Sequence, residues 1–199
     1  AYHGFGANAG AVGTVITRCK NSNRGFDWHA SWPYCTLIDA CTGGLVGNGG
    51  SVELLPNHMK HLTFWNFNQT AGTVYNQYDW WEPRVGTELY SGAKVVRPII
   101  VGYHGLATTF KADACQVLES QGAPVEPASL YAAQLEARLG AVPAWLDEAR
   151  VQYDFFMENG YWPIVQVSVP NVVNRTQSDA QSVLGDDGLS LGNITTVYS

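Results

Sequence analysis

Three short stretches of this 199-residue chain can be laid over one another. "VITRCKN" (15–21) falls on "LIDACTG" (37–43) with Cys19 on Cys41, 22 residues further on; "LTFWNFN" (62–68) begins 25 residues after the second. Each is a strand-length run of β-branched or aromatic residues bounded by turn formers. A recurrence of 20-odd residues is what stacked coils produce. Hairpins of an antiparallel sandwich are the alternative. Strands are expected at Gly13–Cys19, Tyr34–Cys41, His61–Asn66 and Val95–Val101, and no helical period longer than two turns occurs before residue 110. In stacked coils equivalent positions lie about 4.8 Å apart. A disulfide between Cys19 and Cys41 is therefore within reach, although in-register stacking can also leave two unbridged thiols. Cys35 with Cys115 is the second choice.

The period changes in the second part. "PVEPASLYAAQLEARLG" (124–140) and "VPAWLDEARVQYDFFMENG" (142–160) carry apolar residues at helical spacing, with Pro near each start and Gly at each end. Helices are expected at 128–139 and 144–158, forming an αα-hairpin. "PIVQVSV" (163–169) reads as a strand and the remainder as an irregular tail. The division is thus 1–110, terminal coils, and 111–199, a capping module. An insertion at 72–92, rich in Tyr, Trp and charge, is long enough to be a functional wall or lid.

Charge divides the chain in the same place. Up to Phe110 there are 7 Lys and Arg against 6 Asp and Glu, together with all five His; beyond it there are 4 against 11. An anionic ligand prefers the first part. No basic stripe suits nucleic acid, and no apolar run of about 18 residues suits a membrane. The four Cys stand in no metal-ligand spacing, which favours disulfides in an oxidising compartment, with buried thiols as the alternative. Sequons at Asn68, Asn174 and Asn193 and the low charge fit a secreted glycoprotein. The start at Ala1, with neither initiator Met nor signal peptide, reads as a processed product or fragment.

"VVRPIIVGYHG" followed by "VLESQGAPVEPASLYAAQLEARLG" resembles the C-terminal module that closes secreted right-handed parallel β-helix proteins of the pectate-lyase-like superfamily. The resemblance rests above all on Glu119-Ser120, Val125, Pro127, Ser129-Leu130-Tyr131, Gln134-Leu135 and Arg138-Leu139-Gly140, and covers about a quarter of the chain. It implies a mainly β fold: a right-handed parallel β-helix fragment with a helical hairpin cap. Some members of the group are polysaccharide lyases. Such β-helices usually have more coils, which implies that another chain, or the N-terminal part of the same precursor, covers the open end. No catalytic residue carries over.

A lyase acting on a uronate glycan must neutralise the carboxylate, remove the C5 proton and protonate the leaving oxygen. His29, Lys20, Arg84 and His104 are the candidates for this chemistry, and Arg24 and Tyr90 could join them. Trp28, Trp32, Trp80, Trp81 and Tyr90 are candidates for stacking on sugar rings, the alternative being that the Trp residues pack the core. Trp80 and Trp81 of "YDWWEPR" (78–84) are expected to line one groove with Arg84 and with Trp28, His29 or Lys20. No cofactor is required; Ca²⁺ is possible, but the clustered Asp it wants is not visible before residue 110. A glycoside hydrolase would draw its two carboxylates from Asp27, Asp39, Asp79 and Glu82. A non-catalytic glycan-binding or structural protein is the alternative outside enzymes.

Overall fold

The computed structural model describes residues 5–7, 9–21, 25–28, 32–49, 54–81, 93–163 and 175–186. Its strands are β1 (Val15–Thr17), β2 (Phe26–Trp28), β3 (Leu37–Asp39), β4 (Thr42–Gly43), β5 (Val46–Gly49), β6 (Thr63–Trp65), β7 (Asn68–Gln69), β8 (Ile99–Val101), β9 (His104–Gly105) and β10 (Val117–Glu119). They form a five-stranded sheet in the order β1-β3-β6-β8-β10, a three-stranded sheet β4-β7-β9 and a pair β2-β5. Every pairing among the described residues is parallel, which excludes the antiparallel sandwich. The first overlay read from the sequence is the actual register, Val15 pairing with Leu37; the second is off by one, because Leu37 pairs with Thr63, 26 residues on and not 25, and Thr63 pairs with Ile99. The large sheet runs on past residue 110, because β10 pairs with β8. The change of charge there is not a change of architecture.

A backbone device repeats at each strand of the large sheet. Immediately after the strand stands a residue in the left-handed region: Arg18, Ala40, Asn66, Gly102 and Ser120, at φ from 47° to 69°. Two positions before four of the strands stands another: Gly13, Cys35, His61 and Arg97. Left-handed φ costs a non-glycine residue roughly 1–2 kcal/mol, so these bends persist because neighbouring passes enforce them. Between the bends the middle residues Ile38, Phe64 and Ile100 are buried on the inner face. Gly102 has a packing reason as well, since a Cβ there would collide with the amide oxygen of Asn66.

The interior is aromatic. Phe67 stacks on Tyr103 at 5.5 Å, one row above it in the register, and Trp80 stacks on Phe110 at 5.9 Å. Phe26, Trp28, Phe64 and Tyr78 belong to the same cluster. His58 lies within it, fully buried, its ring edge-on to Trp28 at 6.0 Å and its Nε2 3.0 Å from Thr36 Oγ1. Burial pushes its pKa down from 6.5 to about 4.

Helices α1 (Leu130–Leu139) and α2 (Ala144–Asn159) occupy the spans expected, each closed by a left-handed glycine, Gly140 and Gly160. A third helix, α3 (Gln177–Asp186), stands where an irregular tail was expected. Its polar, Ser- and Asp-rich sequence disguises one apolar stripe, of which Ala180 and Leu184, one turn apart, are buried. The strand expected at 163–169 lies outside the described residues except for Pro163. Helix α1 docks on the outer face of the large sheet through Asp39, which is completely buried. Its Oδ1 accepts from the Leu130 amide at 2.7 Å; its Oδ2 accepts from Ser129 Oγ at 2.6 Å and Thr17 Oγ1 at 2.8 Å. The carboxylate thereby caps the helix N-terminus. Asn66 fixes the preceding segment, donating to the carbonyls of Val125 and Ala128 and accepting from the Val125 amide. Trp65 Nε1 donates to the Pro127 carbonyl at 2.7 Å.

All four Cys are free thiols. Cys19 and Cys41 do sit side by side on adjacent passes, where the Thr42 amide donates to the Cys19 carbonyl at 2.9 Å. The expected disulfide does not form; each thiol donates to a backbone carbonyl, Cys19 to Thr17 and Cys41 to Ile16, both at 3.3 Å. The neighbouring Cys41 draws the Cys19 pKa down to about 7, while Cys19 and burial push that of Cys41 up. Cys35 and Cys115 lie in one column with His61 and Arg97 between them, about three strand spacings or roughly 14 Å apart, beyond disulfide reach. Asn68 was expected in an exposed turn; it is half-buried in β7, paired with Thr42 and His104. Asn174 and Asn193 lie outside the described residues.

Two stability measurements check this description. His58 is neutral in both states above pH 6.5; below it the unfolded chain takes up a proton that the folded chain refuses until about pH 4. Stability is therefore present at pH 7 and lost as pH falls from 6.5 towards 4, by about 3 kcal/mol. Urea titrations should show this loss in the wild type and a smaller one in His58→Gln. Asp39→Ala should cost roughly 3 kcal/mol at pH 7, because it strands the donors of α1 and Thr17. Adding Ser129→Ala to it should cost less than that change does alone.

Candidate functional site

Three passes of chain, 32–35, 57–61 and 94–97, run side by side. The Met59 amide donates to the Pro33 carbonyl and the Cys35 amide to that of Lys60, both at 2.9 Å. The Asn57 amide donates to Lys94 at 3.0 Å and the Val96 amide to His58 at 3.1 Å. Pro33, His58 and Val95 point inward and are buried, while Tyr34, Met59, Lys60, Val96 and Arg97 are exposed. Trp32 closes one end, half-exposed, its Nε1 donating to the Leu55 carbonyl at 2.8 Å. The result is an outward face of aromatic rings and cations on adjacent rows.

The start of the 72–92 insertion forms the other end. Tyr78 and Trp80 enter the core. The Trp81 amide donates to Asp79 Oδ1 at 2.8 Å, and this local turn sends Trp81 the opposite way from Trp80. Trp81 is 46% exposed, with Lys94 Nζ over its ring at 5.5 Å. Beside it opens a groove of about 290 Å³ whose walls include Trp81, Val96, Arg97, Lys111, Asp79 and Asp113. Arg97 is clamped there, Nε and Nη2 both donating to the Cys115 carbonyl at 3.2 and 2.9 Å. Lys111 Nζ lies 3.0 Å from Asp79 Oδ2. Four cations (Lys60, Lys94, Arg97, Lys111) face two carboxylates, a surface that favours anions, and stacking on Trp81 and Tyr34 suits flat apolar faces.

The expected site residues separate. Trp32 and Trp81 are on this face. Trp28 and Trp80, expected as sugar platforms, are completely buried in the aromatic core, because each faces inward from a pass packed on both sides. Lys20 and His104 stand in another row, across Thr42 and Asn68 in the three-stranded sheet. Lys20 Nζ lies over the Phe156 ring of α2 at 5.6 Å, and His104 Nδ1 is 2.7 Å from the Gly102 carbonyl. His29, Arg84, Tyr90, Arg24 and Glu82 lie outside the described residues, and the Asp27 side chain with them. Asp39 is taken up by the helix cap and is not available as an acid. Sequence reading missed Lys60, Lys94, Arg97 and Lys111. A signal existed: Tyr34 and Lys60 are 26 residues apart, the same offset as Leu37 and Thr63. Among the described residues no group of three His, Cys, Asp or Glu is placed to hold a metal ion. None of the described helices is long and apolar enough to cross a membrane.

Comparison with protein families matches residues 1–149 to a domain of unknown function, DUF4955. Comparisons with curated proteins and with solved structures give no match.

The two adjacent Trp residues should behave oppositely. Trp80→Ala should destabilise the fold by about 3–5 kcal/mol in urea denaturation. Trp81→Ala should change stability by less than about 0.5 kcal/mol.

Proposed function

The chain belongs to the DUF4955 family, and we propose that it is part of a secreted right-handed parallel β-helix that holds an acidic, uronate-containing glycan. The parallel order β1-β3-β6-β8-β10 with in-register inner residues supports the fold reading. The observation that carries the function is the pairing of exposed Trp81 with clamped Arg97 and with Lys111 in one groove, continuous with Tyr34 and Lys60. Rings stack on the apolar faces of sugars, and the cations meet carboxylates. A polymer suits a face that extends over several rows. Among the described strands β1 is the outermost of the large sheet, and further coils, from the same precursor or another chain, would continue the sheet there.

Cleavage by β-elimination is the reaction this chemistry would serve. Lys60 and Arg97, on neighbouring passes, would neutralise the carboxylate, and the Tyr34 phenol, one row from Lys60, would exchange the proton. A glycoside hydrolase has less support: Asp79 faces Lys111, and Asp39 is consumed by the fold.

Titration with oligouronates and with neutral oligosaccharides of equal length tests the binding. Trp81→Ala and Arg97→Gln should each weaken oligouronate binding about tenfold, or 1.4 kcal/mol, and neutral sugars should bind poorly to every form. Equal affinity for both sugar types, or unchanged affinity in both folded variants, would overturn it. Ultraviolet absorbance of an unsaturated product, lost in Tyr34→Phe, separates a lyase from a binding protein.

A further inference from the structure

A second groove lies around the corner from the aromatic face, between the large sheet and α1. It measures about 300 Å³ and is lined by Cys35, His61, Thr36, Thr63, Leu130 and Gln134, among others. Cys35 Sγ and His61 Nδ1 face each other across it at 3.8 Å. Both residues occupy the left-handed bend before their strands, at φ 57° and 56°. That bend turns both side chains out of the sheet at the same corner, on consecutive passes. Cys35 is exposed, whereas Cys41 and Cys115 are buried and Cys19 is half-covered. The next residue of the column is Arg97, and Lys60 precedes His61; both are exposed cations.

We infer that Cys35 and His61 form a nucleophilic thiol site that undergoes exchange with small anionic disulfides, independent of the glycan reading. In the tautomer with its proton on Nε2, His61 Nδ1 takes the proton of the Cys35 thiol. The Cys35 sulfur attacks one sulfur of the incoming disulfide; a new S–S bond forms and the old one breaks. The departing thiolate recovers the proton from His61 and leaves as a thiol. One disulfide is consumed and one is made, so the small disulfide is the only oxidant needed. The groove holds the added group, and Lys60 and Arg97 favour a negatively charged one. No neighbouring Cys can resolve the adduct, since Cys115 is roughly 14 Å away along the column. The product is a stable mixed disulfide.

Cys19 is the competing thiol, and stoichiometry tells them apart. Attack by Cys19 would be followed by closure onto Cys41, releasing two small thiols and leaving an internal disulfide. Attack by Cys35 releases one and leaves a mass adduct. The full chain is mixed with glutathione disulfide and, separately, with the neutral 2-hydroxyethyl disulfide, and peptide mass mapping follows the product. One released thiol per chain in the fast phase and an adduct on Cys35 are expected. His61→Asn, whose new side chain tolerates the left-handed backbone, should slow the adduct about tenfold or more near pH 7. Lys60→Gln should slow glutathione disulfide more than the neutral reagent. A first adduct or internal disulfide at Cys19, or a His61→Asn rate equal to wild type with Cys35 still modified, would overturn the site. Circular dichroism of each variant separates loss of folding from loss of reactivity.

Discussion

The structure depends on a repeated backbone constraint: a left-handed residue on each side of a three-residue strand. Gly13 and Arg18, Cys35 and Ala40, His61 and Asn66, and Arg97 and Gly102 bracket β1, β3, β6 and β8 at a constant spacing of five. Such short strands have little pairing energy of their own. Bent at the same two places on every pass, they superpose, and superposition places Ile38 under Phe64 and Phe64 under Ile100. The buried stack then offsets the strain of the bends. One bend residue serves a second purpose: Asn66 turns the chain and binds the segment ahead of α1 with the same side chain.

That second purpose shows how the outer face of the sheet is divided. Asp39, Trp65 and Asn66, on neighbouring passes, present one carboxylate, one indole N–H and one amide to residues 125–131. A buried carboxylate costs heavily unless donors surround it, and here the helix N-terminus and two hydroxyls supply them. Helix α1 is thereby attached at its N-terminus by polar contacts of definite geometry. These contacts cover the centre of the outer face, and the groove beside Leu130 and Gln134 stays open at its corner. A second open part lies across the bend, where none of the described helices covers the rows carrying Tyr34, Lys60 and Arg97.

Chemistry on that open part is assembled from residues distant in sequence. Tyr34, Lys60 and Arg97 are brought within adjacent rows by a register that the inner residues determine, and Trp81 joins them because Trp80 is anchored in the core. The same register puts Cys35 beside His61 and Cys19 beside Cys41. Equivalent positions of successive passes meet at van der Waals distance, so a chance pair of reactive residues in one column becomes a contact. Position in the column also decides which thiol is accessible: the corner exposes Cys35, while the stack covers Cys41.

The sequence by itself determined the recurrence of the strands, the first register to the residue and the second to within one, the spans of α1 and α2 and their ends at a glycine. These are local or periodic features: recurrence of "VIT", "LID" and "TFW", 3.6-residue spacing, Pro and Gly at the boundaries. It also marked the aromatic insertion and the basic bias of the first part. Only the tertiary structure decided which aromatics face solvent. Trp80 and Trp81 are neighbours of one type, and their separation depends on a turn at Asp79 and on a cavity lined by Phe64 and Phe110. It alone decided that Asp39 caps a helix 90 residues away, that α3 forms, and that Lys20 and His104 belong to a different sheet from Arg97. Burial and orientation follow from what the other passes place nearby, and no window of sequence contains that.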